Sequence, residues 1–499
     1  MSKEETEEKD VSRRQYVAAV GGLVAGLAVG FAGGYVTAPG KVVEKEVTVE
    51  VTKKTYGPWE PYEQKPATPL KWVHWGYRPD IITENIDVFC QQNNENVEQE
   101  QITGDYQPLV ETKWMAGEKF DVVYGNDYNA FRWRALGYTR SPEGGEINGE
   151  YYEPLPFIEW IKNDMFPSVR KAYSWLDGKL AGLTYFVSAV PAMVANDVIL
   201  EAAGMAGEYP ETWSELYDMC RELKKRSPPG MIKPYVPRFF NAYWGSPWDL
   251  CAEVSNRAHD QDLTKTMWDK DFGCLFDAAP GDYVYETIKD WRSLVEEDLI
   301  EKAVLTAATN APGEEAFYTG KYAFIGTHGL YGYWSIMDPA KCAVAGQCTL
   351  IPPSSKQNWG VIDTGLYCMP TKVTDEERAK RFVQWLGWKT NEGKIYTATK
   401  WAKEEFLHSA YPAVYEQEEV KEAWRTRLGD KLDHTIKASS GYLAGMGIPW
   451  IRRSPLYGEW MDPAADYMAR ALTGEISVED CVRSMRELSD ELWQKYHGK

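Results

Sequence analysis

The sequence predicts an α/β fold, and three observations carry that expectation. Between Lys71 and Tyr128, short runs rich in Val and aromatics alternate with stretches of helical apolar spacing, the pattern of a mostly parallel sheet covered by helices. Further along, helix-start signals at Thr212, Thr374 and Ser477 each precede an apolar stripe. The chain has 499 residues, 44% hydrophobic and 26% charged, enough to fill the cores of two or three ordinary domains.

The N-terminus precedes the folded body. Ser12-Arg13-Arg14-Gln15-Tyr16-Val17 leads into a charge-free run from Gln15 to Gly40; it resembles a twin-arginine export signal with Tyr16 where Phe is usual. The run, roughly 20 residues or more, is long enough to cross a bilayer. Gly22, Gly26, Gly30 and Gly34 fall on one helix face, a spacing suited to a membrane helix packed against another. Residues 1–40 are therefore expected to be an export signal or membrane anchor. Residues 41–65, where Val alternates with Thr or charge and prolines follow, are expected to be a stalk. Together they predict an extracytoplasmic protein tethered by its N-terminal segment.

The body begins near Pro66. Lys71–Trp75 is a predicted strand, Ile81–Phe89 a helix, Asn96–Ile102 a strand, Leu109–Ala116 a helix and Phe120–Tyr124 a strand. That last strand opens onto Gly125-Asn126-Asp127-Tyr128 and another helix. The Asp177-Gly178-Lys179 turn then enters a strand ending on Asn196-Asp197. Next, Thr212-x-x-Glu215 is a capping box for a helix carrying Trp213, Leu216, Cys220 and Leu223, which Ser227-Pro-Pro-Gly stops. Val284, Ile288, Trp291 and Val295 form a second stripe. Thr374-x-x-Glu377 precedes a third, Ala379, Phe382, Val383 and Leu386, and Ser477-x-x-Asp480 a fourth, Val482, Met485 and Leu492.

Composition excludes several functions. With 74 acidic and 55 basic residues the formal charge is −19, which repels phosphate backbones, so no nucleic-acid partner is expected. The 21 Trp and 31 Tyr supply flat amphipathic rings of the kind that stack on sugar faces. Eight Cys include no C-x-x-C and six His are scattered, so neither a metal nor a cofactor is expected. Cys342 and Cys348 are candidates to bridge in an oxidising compartment, one choice among about 105 full pairings. There is no G-x-S-x-G, H-E-x-x-H or P-loop motif. An enzyme is not expected; the alternative is a glycosidase-like protein using a carboxylate pair such as Glu314-Glu315 or Glu404-Glu405.

The order of four blocks carries a family resemblance. They are YSWLDGKLAGLTYFVSAVPAMVAND with YPETWSEL, then GEEAFYTGKYAFIGTHGLYGYW, then WGVIDTGLYCMPTKVTDEERAKRFVQWLGWKTNEG, then RSPLYGEW through ALTGEISVEDCVRSMRELSDELW. In that order they resemble the extracellular solute-binding proteins of ABC importers, the family that includes the maltose-binding proteins, over nearly everything from about Pro66 onward. The resemblance implies a two-lobed periplasmic-binding-protein type II fold with a cleft between the lobes. Lobe 1 is expected at 66–194 and 367–412, and lobe 2 at 195–366 and 413–499. Ala195, Asn196, Asp197, Ile362 and Gly365 are expected at the hinge. The implied function is capture of a small-molecule solute, above all a sugar or oligosaccharide, by closure of a monomeric binding domain and delivery to ABC permease subunits.

Ligand groups are expected just past strand ends. From lobe 1 these are Tyr77, Arg78, Asn126, Asp127 and Tyr128, with Tyr185 and its neighbours Phe186 and Ser188 lining the cleft. From lobe 2 they are Tyr243, Trp244, His328 and Tyr331. The family commonly places a stacking Trp where His328 stands, so that platform passes to Tyr331 or Trp334. Asp363 and Thr364 belong to the return crossing, and Trp450 and Arg452 to the closing segment.

Overall fold

A computed structural model describes residues 59–497, apart from 105, 243, 260–265, 355–357, 446, 448–449 and 456. The predicted signal and residues 41–58 of the predicted stalk lie outside the described residues. In chain order the strands are β1 (Leu70–Trp75), β2 (Val97–Ile102), β3 (Val122–Asn126), β4 (Thr139–Arg140), β5 (Gly145–Ile147), β6 (Glu150–Tyr152), β7 (Leu183–Val190), β8 (Ala192–Asn196), β9 (Lys233–Val236), β10 (Tyr322–Thr327), β11 (Cys348–Leu350) and β12 (Val361–Pro370).

They form two main sheets and the small hairpin β5–β6. The first sheet runs β2-β1-β3-β12-β4, with β7 on the other side of β12. β1 is parallel to β2 and β3, whereas β12 is antiparallel to β3, β4 and β7. All ten residues of β12 are buried, which is why its sequence, VIDTGLYCMP, shows no solvent-facing alternation. The second sheet runs β11-β8-β10-β9, with β10 parallel to β9 and antiparallel to β8.

Helices cover both sheets, and their starts follow local chemistry. Pro79 opens the helix Pro79–Asn93 where its missing N–H costs nothing. Thr212 accepts from Glu215 N at 3.1 Å while Glu215 reaches back to Glu211 N, capping Trp213–Arg226. Ser477 accepts from Asp480 N at 3.0 Å before the long final helix Val478–His497. At the third signal the cap is Asp375, not Thr374. The Asp375 carboxylate accepts from Arg378 N at 3.1 Å, while Thr374 N donates to buried Asp121 at 2.6 Å.

The predicted single strand ending on Asn196-Asp197 is two strands in different sheets. Pro191 lacks the N–H that a continuous ladder needs, and the chain leaves the first sheet at Val190 and enters the second at Ala192. Ala195 and Asn196 therefore lie inside the second sheet, paired with Phe324, Thr349 and Cys348. The return passes between Leu350 and Val361, so Ile362 and Gly365 lie within the first sheet. Gly360 passes close to the outgoing segment: a Cβ there would stand 2.5 Å from the Pro191 carbonyl oxygen.

Candidate functional site

The carboxyl ends of β1 and β3 in the first sheet and of β10 in the second open onto one cavity of about 710 Å³. A crevice at strand carboxyl ends is where open α/β sheets bind ligands. Its first-sheet wall carries His74 and Trp75 at the end of β1 and Tyr77 just past it, Tyr106 and Gln107 after β2, Tyr124, Asn126, Tyr128 and Asn129 around the end of β3, and Tyr185, Phe186 and Asp363 from β7 and β12. Trp244, Trp248, His328, Tyr331 and Tyr457 face them. Rings dominate both walls, and no Lys or Arg is among the described residues lining the cavity.

On the first wall, Trp75 stacks on Tyr77 (centroids 6.1 Å apart, 12° between planes), and Tyr77 stacks on Trp401 (6.2 Å, 18°). The Tyr77 hydroxyl donates to Glu405 at 2.6 Å, fixing the middle ring. Tyr185 packs 5.1 Å from Tyr124 and 5.0 Å from Trp401. Gly365 leaves room for these rings, since a Cβ there would lie 2.6 Å from Phe186 and 2.8 Å from Tyr124. Asn126 accepts from the Tyr124 hydroxyl at 2.6 Å and donates to the Tyr128 hydroxyl at 3.3 Å, so its amide is held by the rings beside it.

On the opposite wall, Arg238 is buried and donates to Asp249 at 2.5 Å, to the Trp244 carbonyl and to His328 Nδ1 at 3.1 Å. Because the guanidinium only donates, Nδ1 accepts and the His328 proton sits on Nε2. Burial, and then the Arg238 charge, hold this imidazole well below its ordinary pKa, so it is neutral. Its ring lies 4.5 Å from Trp244 and 5.7 Å from Tyr331.

Behind the lining sits a buried charge group. Arg452 donates to Asp127 at 2.5 Å and to the Ile362 carbonyl at 3.0 Å, and lies 3.9 Å from Asp363. Its guanidinium stands 4.2 Å over the Trp248 ring, and Trp248 Nε1 donates to the Tyr457 hydroxyl at 2.7 Å. Burial pushes both carboxyls up against the pull of Arg452, Asp363 to about 7.

Of the residues singled out in sequence, Tyr77, Asn126, Tyr128, Tyr185, Trp244, His328, Tyr331 and Asp363 line this cavity. Asp127 and Arg452 stand behind it. Arg78 does not join them. In a left-handed conformation, it turns outward to Asp80 (2.6 Å), Glu404 (3.5 Å) and Glu405, so the nominated pair Glu404-Glu405 is occupied in an ion-pair cluster. Thr364 points away, buried beside Tyr173, because strand neighbours alternate faces. Asn196 bonds the carbonyls of Gly320 and Tyr322, both at 3.0 Å, and Asp197 pairs with Lys431 at 2.5 Å. Tyr243 and the Trp450 side chain lie outside the described residues. Sequence reasoning missed His74, Trp75, Tyr106 and Gln107, which the strand-end rule covers, and Trp248 and Tyr457, whose helices start at the cleft.

Residues 86–424 match the family described as bacterial extracellular solute-binding protein. A search of characterised proteins gives no significant match. Among solved structures, the sugar-binding protein MalE from Xanthomonas citri is similar at 14% identity and TM-score 0.66, covering 86% of this chain and 98% of its own. The maltose-bound MalE3 of T. maritima is similar at 16% and 0.64, covering 85% and 99%. A solute-binding protein of an ABC transporter from Agrobacterium vitis, with bound D-mannitol, is similar at 16% and 0.61, covering 86% and 99%. At such identities the likeness shows the two-lobed fold.

Proposed function

This chain belongs to the bacterial extracellular solute-binding proteins, and on that premise we propose that it captures a sugar or polyol in the ring-lined cleft and hands it to an ABC permease. The observation that carries the reading is the cleft itself. About 710 Å³ is lined by aromatic side chains, from the first sheet and its strand ends on one side and from loop and helix residues Trp244, Trp248, Tyr331 and Tyr457 on the other, with a few fixed polar groups (Asn126, His328, Asp363) among them. Rings pack against the apolar faces of a saccharide, and the polar groups select its hydroxyls.

Each sheet heads one lobe in this reading. The lobes join where β7 passes to β8 and where the chain returns to β12, which moves the expected boundaries from 194/195 to Pro191 and from 366/367 to the segment before Val361. A solute that touches both walls binds the closed arrangement better and so shifts the population toward it. Tyr77, Asn126, Tyr128 and Tyr185 contact it from one side, and Trp244, His328 and Tyr331 from the other. Arg452, shared with Asp127, stands behind Asp363. Tethering by residues 1–40 is part of the proposal and rests on the sequence; among the described residues no helix is long and apolar enough to cross a membrane.

A thermal-shift panel tests the assignment. Sugars and polyols are expected to raise the melting midpoint, by about 2.7 kcal/mol of added stability at a hundredfold excess over Kd, without being consumed. Stabilisation by peptides alone, or turnover of the stabilising sugar, would contradict it.

A further inference from the structure

On the cleft wall Asp363 is a buried carboxyl group whose nearest ion-pair contact is a distant one. Two carboxylates, Asp127 and Asp363, share the single guanidinium of Arg452. Asp127 takes the short contact at 2.5 Å, and a second N–H of Arg452 is committed to the Ile362 carbonyl at 3.0 Å. Asp363 has only the distant edge at 3.9 Å, and its side chain is 6% exposed, on the cavity side. The next cations have other partners as well: Arg238 pairs with Asp249 and Arg453 donates to the Lys171 carbonyl at 3.3 Å, while their charges also act on Asp363 and Asp127 respectively. No Lys or Arg is among the described residues lining the cavity. A buried carboxylate with an incomplete partner is costly, and a ligand that brings a positive charge recovers that cost. The rings around it present their negative faces to the same space, which favours a cation further.

We propose that the solute carries a protonated amine together with its hydroxyls, as an amino sugar or amino polyol does, and that Asp363 receives the ammonium group. The inference rests on the solute-capture reading above and narrows its ligand class. It also disfavours anionic solutes such as sugar phosphates, which would meet Asp363 in a cavity lined by no Lys or Arg among the described residues.

Calorimetric titration of the full-length protein tests it with matched probes. These are glucosamine against glucose and N-acetylglucosamine, and 1-amino-1-deoxysorbitol against sorbitol. N-acetylation keeps the bulk and removes the charge. The amine of a pair is expected to bind at least tenfold tighter than its neutral partners, about 1.4 kcal/mol. Asp363→Asn is expected to reduce that preference to threefold or less, and Asp363→Glu to retain part of it. A thermal melt of each variant verifies folding, and the Glu variant carries the comparison should the Asn variant not fold. Neutral sugars binding as tightly as the amines would overturn this inference while leaving sugar capture standing. A tenfold amine preference surviving in Asp363→Asn would overturn the role of Asp363. Failure of every probe to bind would overturn both readings.

Discussion

Arg452 is the residue on which the wall of the cleft depends. It is fully buried, and it is the near cation for both Asp127 and Asp363. Replacing it leaves two buried carboxylates without a partner, and breaking a buried ion pair from one side typically costs ~3–5 kcal/mol. Arg452→Met is therefore expected to lower the unfolding free energy by an amount in that range, read from a lower urea midpoint. The pH dependence follows from the same group. Burial, opposed by Arg452, pushes Asp363 up to about 7; burial, opposed by Arg238, pushes Asp249 up to about 6. The folded chain thus keeps protons that unfolded carboxyls have released. The stability this contributes is fully present below the unfolded carboxylate range and is lost as pH rises through about 6 for Asp249 and about 7 for Asp363. Without solute, the melting temperature of wild type relative to Asp363→Asn is expected to fall between pH 5 and pH 8, and a difference constant over that range would contradict the assignment. Strand-end reasoning made Tyr77, Asn126 and Tyr128 legible. Arg78 misled it because a left-handed backbone turns that side chain to Asp80 and Glu405, which no residue spacing encodes.

At the scale of elements, the crossing between the sheets was legible as a place but not as a break. The run from Leu183 to Asn196 has the Val-rich character of one strand, and Pro191 is the residue that divides it. Its missing N–H is a local signal, whereas the pairing of each half with a different sheet is long-range and invisible in spacing. The apolar run of β12 likewise gave no hint that Asp363 faces the cleft and Thr364 the interior. Gly360 ties the two crossing segments together. A methyl group there meets the Pro191 carbonyl oxygen at 2.5 Å and the Val190 carbonyl at 2.8 Å, backbone atoms that cannot rotate aside. Gly360→Ala is expected to force the segments apart and cost ~1–3 kcal/mol, seen as a lower denaturation midpoint together with weaker solute binding. An unchanged midpoint would mean that the two segments separate freely.

For the molecule as a whole, the order of sequence blocks carried the resemblance from which the fold was expected, and the family match over residues 86–424 agrees with it. The cleft was legible only in part. Seven separate segments bring its rings together, and distance along the chain says nothing about which of 21 Trp and 31 Tyr will meet there. In the proposed function, closure of the two walls over the ring-lined cavity is the motion through which binding acts. Small-angle scattering of the protein, alone and saturated with the sugar or polyol that stabilises it, tests that claim most directly. The account predicts a smaller radius of gyration and a shorter maximum dimension when the solute is bound; superimposable curves at saturation would contradict it.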